Sequence, residues 1–594
     1  MNIADKKVRN IIESYFDREL HPQLLEQLET RLLRGGDWLF NQGDAADSLY
    51  FLVRGRLQVW IEADDAGGQP RLLGEIAAGE SVGEVGLISG EPRSAGIQAI
   101  RDSLLIRLDR RTFESLAERD PTLVLKLASN VVKLLQRSTS TKTPAASSLK
   151  TITLLPLSGS MKIKQFCDEF AQQLAKQASA ALVSPETLSA QGAPVAQLKD
   201  GEDLPDSLKH WLSDLEDQHE FVLYRCPAGD SSWSRFAVRQ SDIVLMVAVA
   251  DSNPDDVAWE PELLSIQGTT VGRRALLLLQ RDRSAIRNTS RWLKDRDLNF
   301  HLHIQEGLAS DVQRAVRVIS GNATGLVFGA GAARGLAAIG VYKALVEAGI
   351  EIDWVGGTSI GSITAAAVAA GWSPELAIRN FRQAFKVGKP FGDITIPVMS
   401  LIRGKRMSRL LKTQLDFQIE DLPLPYYCVS TNLGRGTQNI HESGSLVHAI
   451  RASAALPGVF PPVVVDQELA VDGAILNNLP VDIMQKKPVG RIIAVDFSAS
   501  VPAKVDYAET PSPWAVLRGR WLPFARRYRV PRLTSIMLKS IEAATLEEVR
   551  RLGRTADLLI DPDIKRFGMT DVNSFDQIVQ AGYERGVELL KNWQ

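Results

Sequence analysis

Five residues, Gly357-Thr358-Ser359-Ile360-Gly361, hold a serine between two glycines at the G-x-S-x-G spacing. In that spacing a strained turn between a strand and a helix lifts the hydroxyl clear of the backbone, and the chemistry that follows is acyl transfer through a covalent acyl-serine. So short a pattern arises often by chance, which makes its flanks matter. Ile350 to Val355 reads as a short strand and Ser362 to Ala370 as an alanine-rich helix closed by Gly371, the strand, turn and helix that the motif requires. The serine needs a base. Beyond it the chain holds only His441 and His448, whereas the common order of serine, acid and histidine calls for a histidine near the C-terminus. A Ser-x-x-Lys arrangement also fails, because position 362 is Ser362. A carboxylate acting directly on the serine remains, and Val471-Asp472-Gly473-Ala474 sets one at the end of an apolar strand before a glycine turn. A turn-capping aspartate is the alternative reading of Asp472, and ordinary polar packing is the expectation for both histidines.

Upstream, Thr324 to Phe328 reads as a strand running into Gly329-Ala330-Gly331-Ala332-Ala333-Arg334-Gly335 and then a helix to Gly349. Small residues at a strand end let backbone N–H groups converge, and the following helix adds its positive end, so this loop is the candidate oxyanion hole. A dinucleotide fingerprint is the rival, since Gly329-x-Gly331-x-x-Arg334 comes near G-x-G-x-x-G; against it, the third position is an arginine and the elbow stands where a ribose-binding acid would be sought. A second constellation lies near the N-terminus, where Gly83-Glu84 precedes Arg93-Ser94-Ala95. A cyclic nucleotide takes a carboxylate on its ribose hydroxyl and a guanidinium with N–H groups on its phosphate, and this segment supplies each. A roll that kept its shape and lost its ligand is the other reading.

These residues need scaffolds, and 594 residues exceed one ordinary core. From Thr30 to about Asp109, short apolar runs alternate with glycine turns, as in an all-β roll, and helical periodicity follows to about Gln136. A polar stretch from Arg137 to Ser148 reads as a linker. Then Thr151–Leu155, Phe221–Tyr224, Asp242–Ala248 and Ala275–Leu279 read as buried parallel strands of a Rossmann-like α/β domain. The loop Pro156 to Ile163 lacks the first glycine and the Lys-[Ser/Thr] pair of a P-loop, so this domain is expected to be a nucleotide-free spacer. The expected division is 1–137, a linker at 138–148, 149–320 and 321–594. With Lys+Arg 69 against Asp+Glu 70, nothing points to nucleic acid, and no DNA-binding motif follows the roll. Cys167, Cys226 and Cys428 lie far apart without metal spacing, which predicts buried thiols in a reducing compartment and no metal site. Met1 to Lys7 lacks a signal-peptide core, and the uncharged run Trp354 to Pro374 carries the elbow, so a cytoplasmic chain without a transmembrane segment is expected.

Two resemblances add to this reading. The first domain, with its Gly43-Asp44 turn, Gly55 and the segment from Gly83 to Ala95, resembles the cyclic-nucleotide-binding domains of catabolite activator proteins and cyclic-nucleotide-dependent kinases. It implies that Glu84 holds the ribose of cyclic AMP or cyclic GMP, and that Arg93, Ser94 and the N–H of Ala95 hold the phosphate, as a regulatory ligand. From Thr324 onward, the oxyanion loop, the elbow, Arg451 to Pro462 and Asp472 to Pro480 resemble patatin-like phospholipases, and the whole arrangement is similar to the neuropathy target esterase family. That resemblance implies a patatin-like α/β hydrolase fold, Ser359 as nucleophile and Asp472 as base of a Ser/Asp dyad. It aligns Gly331 and Ala332 with the usual oxyanion donors among Gly329, Gly331, Ala332, Arg334 and Gly335, and it calls for no catalytic cofactor. Ala330 and Ala332 depart from the family's run of glycines, and alanine resists positive φ. Phospholipid or lysophospholipid is the implied substrate and a membrane surface the implied peripheral partner. Trp514 to Arg529 interleaves aromatics with arginines and reads either as an interfacial segment or as a lid; Leu401 to Met407 is a second interfacial candidate.

Overall fold

Apolar residues at every position of Leu49 to Val53, rather than alternate ones, mean a strand buried on both faces. That strand is β3 (Ser48–Ile61) of an antiparallel roll made with β1 (Glu29–Leu33), β2 (Trp38–Phe40), β4 (Arg71–Ala77), β5 (Ser81–Val82) and β6 (Gly96–Asp109). Its order is β1-β6-β3-β4, with β2 on β6 and β5 on β3. Leu49, Phe51 and Val53 face one core with the flanking helices and Tyr50 and Leu52 the other, as the two-residue period demands; register shifts between Leu52 and Leu57 then bring Leu57 and Val59 onto the side of Tyr50 and Leu52. The computed structural model describes residues 6–16, 28–62, 70–119, 122–139, 149–188, 190, 193, 205–257, 259–265, 273–498, 507–521, 526–528, 530–531, 533–569 and 571–593. The helix after the roll runs to Thr139, and the rest of the expected linker lies outside the described residues.

The next sheet is wholly parallel: β7 (Thr151–Pro156), β8 (Ala180–Val183), β9 (Phe221–Arg225), β10 (Ile243–Val249), β11 (Arg273–Gln280) and β12 (Phe300–Gln305), in the order β12-β11-β10-β7-β9-β8. Its second and third strands are exchanged relative to the usual dinucleotide-binding order. The expected strands are present; β8 is short and β12 carries His301 and His303, which hid both from an apolar pattern. Roll and parallel sheet form one compact unit, residues 1–321. Charged groups tie them at the strand starts. Arg101 of β6 reaches Glu216 at 3.0 Å and Asp242 at 3.3 Å, and Arg273 meets Glu75 of β4 at 2.8 Å.

The second unit, residues 322–594, holds β13 (Thr324–Phe328), β14 (Trp354–Thr358), β15 (Tyr426–Asn432), β16 (Gln438–His441), β17 (Val463–Val465), β18 (Glu468–Asp472), β19 (Arg491–Val495) and β20 (Leu558–Ile560). The order is β17-β18-β15-β14-β13-β19-β20, with β16 also on β15; the run from β15 to β20 is parallel. Chain connections leave β13 toward β14 on one side and return as β19 on the other. In open α/β sheets such a switch point opens a crevice beyond the strands' carboxyl ends.

One register detail decides the site. β16 pairs with Cys428 to Thr431, β14 with Tyr426 to Val429, and β18 with Ser430 to Asn432. A strand has two edges and β16 occupies one, so β14 and β18 share the other. They arrive from opposite directions, Thr358 ending opposite Val429 and Asp472 ending opposite Ser430.

Candidate active site

The serine after β14 cannot continue the strand. Ser359 takes φ 56° and ψ −122°, a sparsely populated conformation for a residue with a Cβ. The glycines around it let the turn close: a Cβ on Gly361 would stand 2.4 Å from the Phe328 carbonyl oxygen, and one on Gly357 would stand 2.6 Å from the Gly361 carbonyl carbon. Two side chains brace the turn. Ser359 N–H donates to Ser453 Oγ at 3.0 Å, and Ser362 Oγ donates to the Ser359 carbonyl at 2.6 Å. Sequence reading missed Ser453, whose signal is only a small polar residue at the end of the helix Leu446–Ser453.

Because β14 and β18 end side by side, Ser359 Oγ donates to Asp472 Oδ2 at 2.7 Å. Ala474 N–H donates to Asp472 Oδ1 at 2.9 Å, so both carboxylate oxygens are held, and Thr431 Oγ1 donates to the backbone carbonyl of Asp472 at 3.0 Å. Burial pushes its pKa from 3.8 up to about 6, against the opposing hydrogen bonds from Ala474 and Ser359. One oxygen of Asp472 caps the turn and the other meets the serine. The histidines are occupied elsewhere: His441 Nε2 lies 2.8 Å from Ser430 Oγ and His448 Nε2 lies 2.9 Å from the Val464 carbonyl. Burial, and then His448, push His441 down to about 4.

The loop after β13 divides its N–H groups. Gly329 donates to Val495, Ala330 to the Asn478 carbonyl, Ala333 to Met569 and Arg334 to Gly331, at 2.9 to 3.0 Å. Gly329 and Arg334, expected among the oxyanion donors, therefore have their N–H groups committed. Gly335 serves by close approach, since a Cβ there would lie 2.2 Å from Ile360 Cγ2. Among the described residues, Gly331 and Ala332 are the consecutive loop residues whose N–H groups have no acceptor, and both line the cavity that holds Ser359 and Asp472. Ala332 accepts φ 48°, the left-handed conformation that its Cβ disfavours. The Arg334 side chain is structural: buried, its Nε donates to the Phe567 carbonyl at 2.8 Å and its Nη1 lies 3.9 Å from Glu542. Asn478 accepts from Ala330 N–H through its Oδ1 as well, at 3.2 Å, and so satisfies a buried backbone group. The cavity measures about 100 Å³, with Ile363, Phe385, Met407, Leu456 and Phe460 making an apolar wall beside the serine.

In the other unit, Gly83, Glu84 and Arg93 come together. Arg93 Nη1 donates to the Gly83 carbonyl at 2.9 Å and Nη2 to the Ser48 carbonyl at 2.7 Å, with the guanidinium carbon 4.1 Å from the Phe40 ring centroid. Glu84 is buried, which pushes its pKa up to about 7 against the Arg93 charge, and its Oε2 has no hydrogen-bond partner. Ser94 is exposed and Ala95 half-buried.

Comparison with known proteins follows this division. Family models match at residues 30–120 (cyclic nucleotide-binding domain), 148–324 (neuropathy target esterase family P-loop like domain) and 326–484 (patatin-like phospholipase). An uncharacterized NTE family protein of Mycobacterium tuberculosis is 31% identical over 588 residues, covering 98% of this chain and 95% of its own. The chain belongs to the NTE family. Other NTE relatives are longer. Human patatin-like phospholipase domain-containing protein 6 is 30% identical across 94% of this chain and 44% of its own length. The lysophospholipase NTE1 of Candida albicans is 28% identical across 96% and 46%. The chain thus spans less than half of these two relatives. Among the described residues of this NTE family member, no helix is long and apolar enough to cross a membrane.

Proposed function

We propose that the chain is a serine esterase that releases fatty acid from phospholipid or lysophospholipid at a membrane surface, with Ser359 as nucleophile and Asp472 as base. The observation that carries this reading is the 2.7 Å hydrogen bond from Ser359 Oγ to a buried carboxylate whose pKa is raised to about 6. A base near the working pH both accepts a proton and gives it back. Ser359 Oγ attacks the ester carbonyl carbon while its proton passes to Asp472. The carbonyl oxygen becomes an oxyanion held by the N–H groups of Gly331 and Ala332. The intermediate collapses, the bond to the alcohol oxygen breaks, and Asp472 protonates the departing alcohol. Asp472 then takes a proton from water, whose oxygen attacks the acyl-serine; fatty acid leaves and Ser359 regains its proton. The apolar wall from Ile363 to Phe460 suits an acyl chain, and the relative named as a lysophospholipase supports the substrate class.

The roll is the regulatory part of the same proposal, with boundaries at 1–137, 149–320 and 321–594. A ribose hydroxyl would supply the partner that Glu84 Oε2 lacks, and a cyclic phosphate would draw Arg93 from the carbonyls it now holds. The test is fatty-acid release from lysophosphatidylcholine micelles by wild type and Ser359→Ala, each with and without cyclic AMP, alongside calorimetric titration of wild type and Arg93→Ala with the nucleotide. Release by wild type alone supports the esterase. Wild-type failure on both micelles and short-chain esters overturns it. Nucleotide binding that survives Arg93→Ala overturns the assignment of the phosphate site.

A further inference from the structure

Between the cavity wall and the helix Lys405–Gln414, the chain leaves aliphatic side chains in solvent. Ile394, Ile396 and Val398 are 76%, 81% and 86% exposed, and Met399 is 63% exposed. Single exposed apolar residues are ordinary, but here Ile396-Pro397-Val398-Met399 are consecutive. The projection is built. Ile394 and Ile402 form an antiparallel bridge, Thr395 N–H donates to Leu401 at 3.0 Å, and Arg403 N–H donates to Asp393 at 2.9 Å, which makes a narrow hairpin with 396–399 at its tip. Its base is fastened beside the cavity: Leu401 and Ile402 donate to Gly458 and Val459, each at 2.9 Å. Phe391 and Phe460, both lining the cavity, have ring centroids 5.6 Å apart just beneath the hairpin base.

Charge completes the pattern. From 386 to 406 there are five basic residues, Lys386, Lys389, Arg403, Lys405 and Arg406, against one acid, Asp393. Lys386 is paired with Asp576, while Lys389, Arg403 and Lys405 are exposed and in no ion pair among the described residues. An aliphatic tip above a collar of one positive sign is how an interfacial element meets acyl chains and lipid phosphates together. A protein partner would favour aromatic, methionine and arginine anchors at the tip itself, which holds no aromatic and no arginine and, of that set, Met399 alone.

Resting on the phospholipid reading above, we propose that the hairpin 393–403 docks the hydrolase unit on an anionic bilayer. Its tip 396–399 enters the acyl region, while Lys389, Arg403 and Lys405 sit at the phosphates and the cavity mouth meets lipid. Of the two interfacial segments expected from sequence, Leu401 to Met407 overlaps this hairpin; Trp514 to Arg529 is separate and lies partly outside the described residues.

The test is flotation of the full chain with phosphatidylcholine vesicles, with and without phosphatidylglycerol. Wild type is expected to float with anionic vesicles, less so in high salt, and the double variant Ile396→Asp with Val398→Asp to lose about tenfold or more of that partition. Turnover of a monomeric water-soluble ester should stay unchanged while turnover of vesicle phospholipid falls. Because the three native cysteines are buried, Val398→Cys carrying a polarity-sensitive dye gives a second readout, a blue shift on anionic vesicles. The proposal is overturned if wild type does not float, if the double variant floats as wild type does, if the dye is unmoved, or if Trp514→Ala with Trp521→Ala abolishes flotation while the hairpin variant does not. Loss of monomeric-ester turnover in wild type would sink the esterase reading and leave flotation to judge the docking.

Discussion

In the proposed dyad, catalysis and burial make opposite demands on the charge of Asp472. Catalysis needs the carboxylate ionised, so kcat/KM is expected to rise with pH through about 6 and stay level above it, which a pH–rate profile on a soluble ester would check. Folding prefers it protonated. Its folded pKa of about 6 exceeds the ordinary 3.8, so the stabilisation from the neutral acid is complete below 3.8 and lost as pH rises through about 6. Asp472→Asn should therefore abolish turnover and raise Tm over wild type at pH 8, with the difference shrinking toward pH 4; a lower Tm at pH 8 would contradict the buried, raised carboxyl. Ser359 and Asp472 were legible as a strained-turn motif and an acid before glycine. Ser453 was not, because an acceptor for a backbone N–H needs only an oxygen in place, and no spacing announces it.

At the scale of elements, the elbow works because β13, β14 and the helix Ile360–Ala369 meet without intervening side chains. Gly361 is pressed on the Phe328 and Gly329 carbonyls, where a Cβ would lie 2.4 and 2.5 Å from oxygen. Backbone cannot step aside as a side chain can, so Gly361→Ala should cost about 3 kcal/mol or more and displace the oxyanion loop. Chemical denaturation with an activity assay would show stability and turnover falling together; a stable, active Gly361→Ala enzyme would refute the close packing. Sequence patterns found β13, β14 and β18. They could not show that β18 takes the edge of β15 that β14 vacates, because register depends on what else each strand pairs with.

Within the first unit, a polar linker suggested separable parts, yet the roll and the parallel sheet share buried charge. Burial would raise the Asp242 carboxyl, but Arg101 and Arg56, with the N–H groups of Lys150 and Thr151, hold it below its ordinary value. Arg101→Met leaves Glu216 without that guanidinium and Asp242 with the Arg56 guanidinium at 3.7 Å, and removing one partner of a buried pair costs about 3–5 kcal/mol. Calorimetry of the full chain should show a transition shifted downward in Arg101→Met and partly restored when Asp242→Asn is added. An unmoved transition would mean the cluster contributes nothing to holding the unit together.

Local order was written in the chain itself. Glycines at fixed offsets, apolar runs of strand length and a lone acid before a turn named the roll, the parallel sheet, the elbow and the dyad candidates, because those features depend on backbone sterics and side-chain period within a few residues. Tertiary structure decided the rest: that two strand ends abut on one edge of β15, that Gly329 and Arg334 spend their N–H groups on Val495 and Gly331 while Gly331 and Ala332 keep theirs, and that 396–399 stands out in solvent. Each is a matter of which partner is left over once distant segments have paired, and no segment carries that information alone.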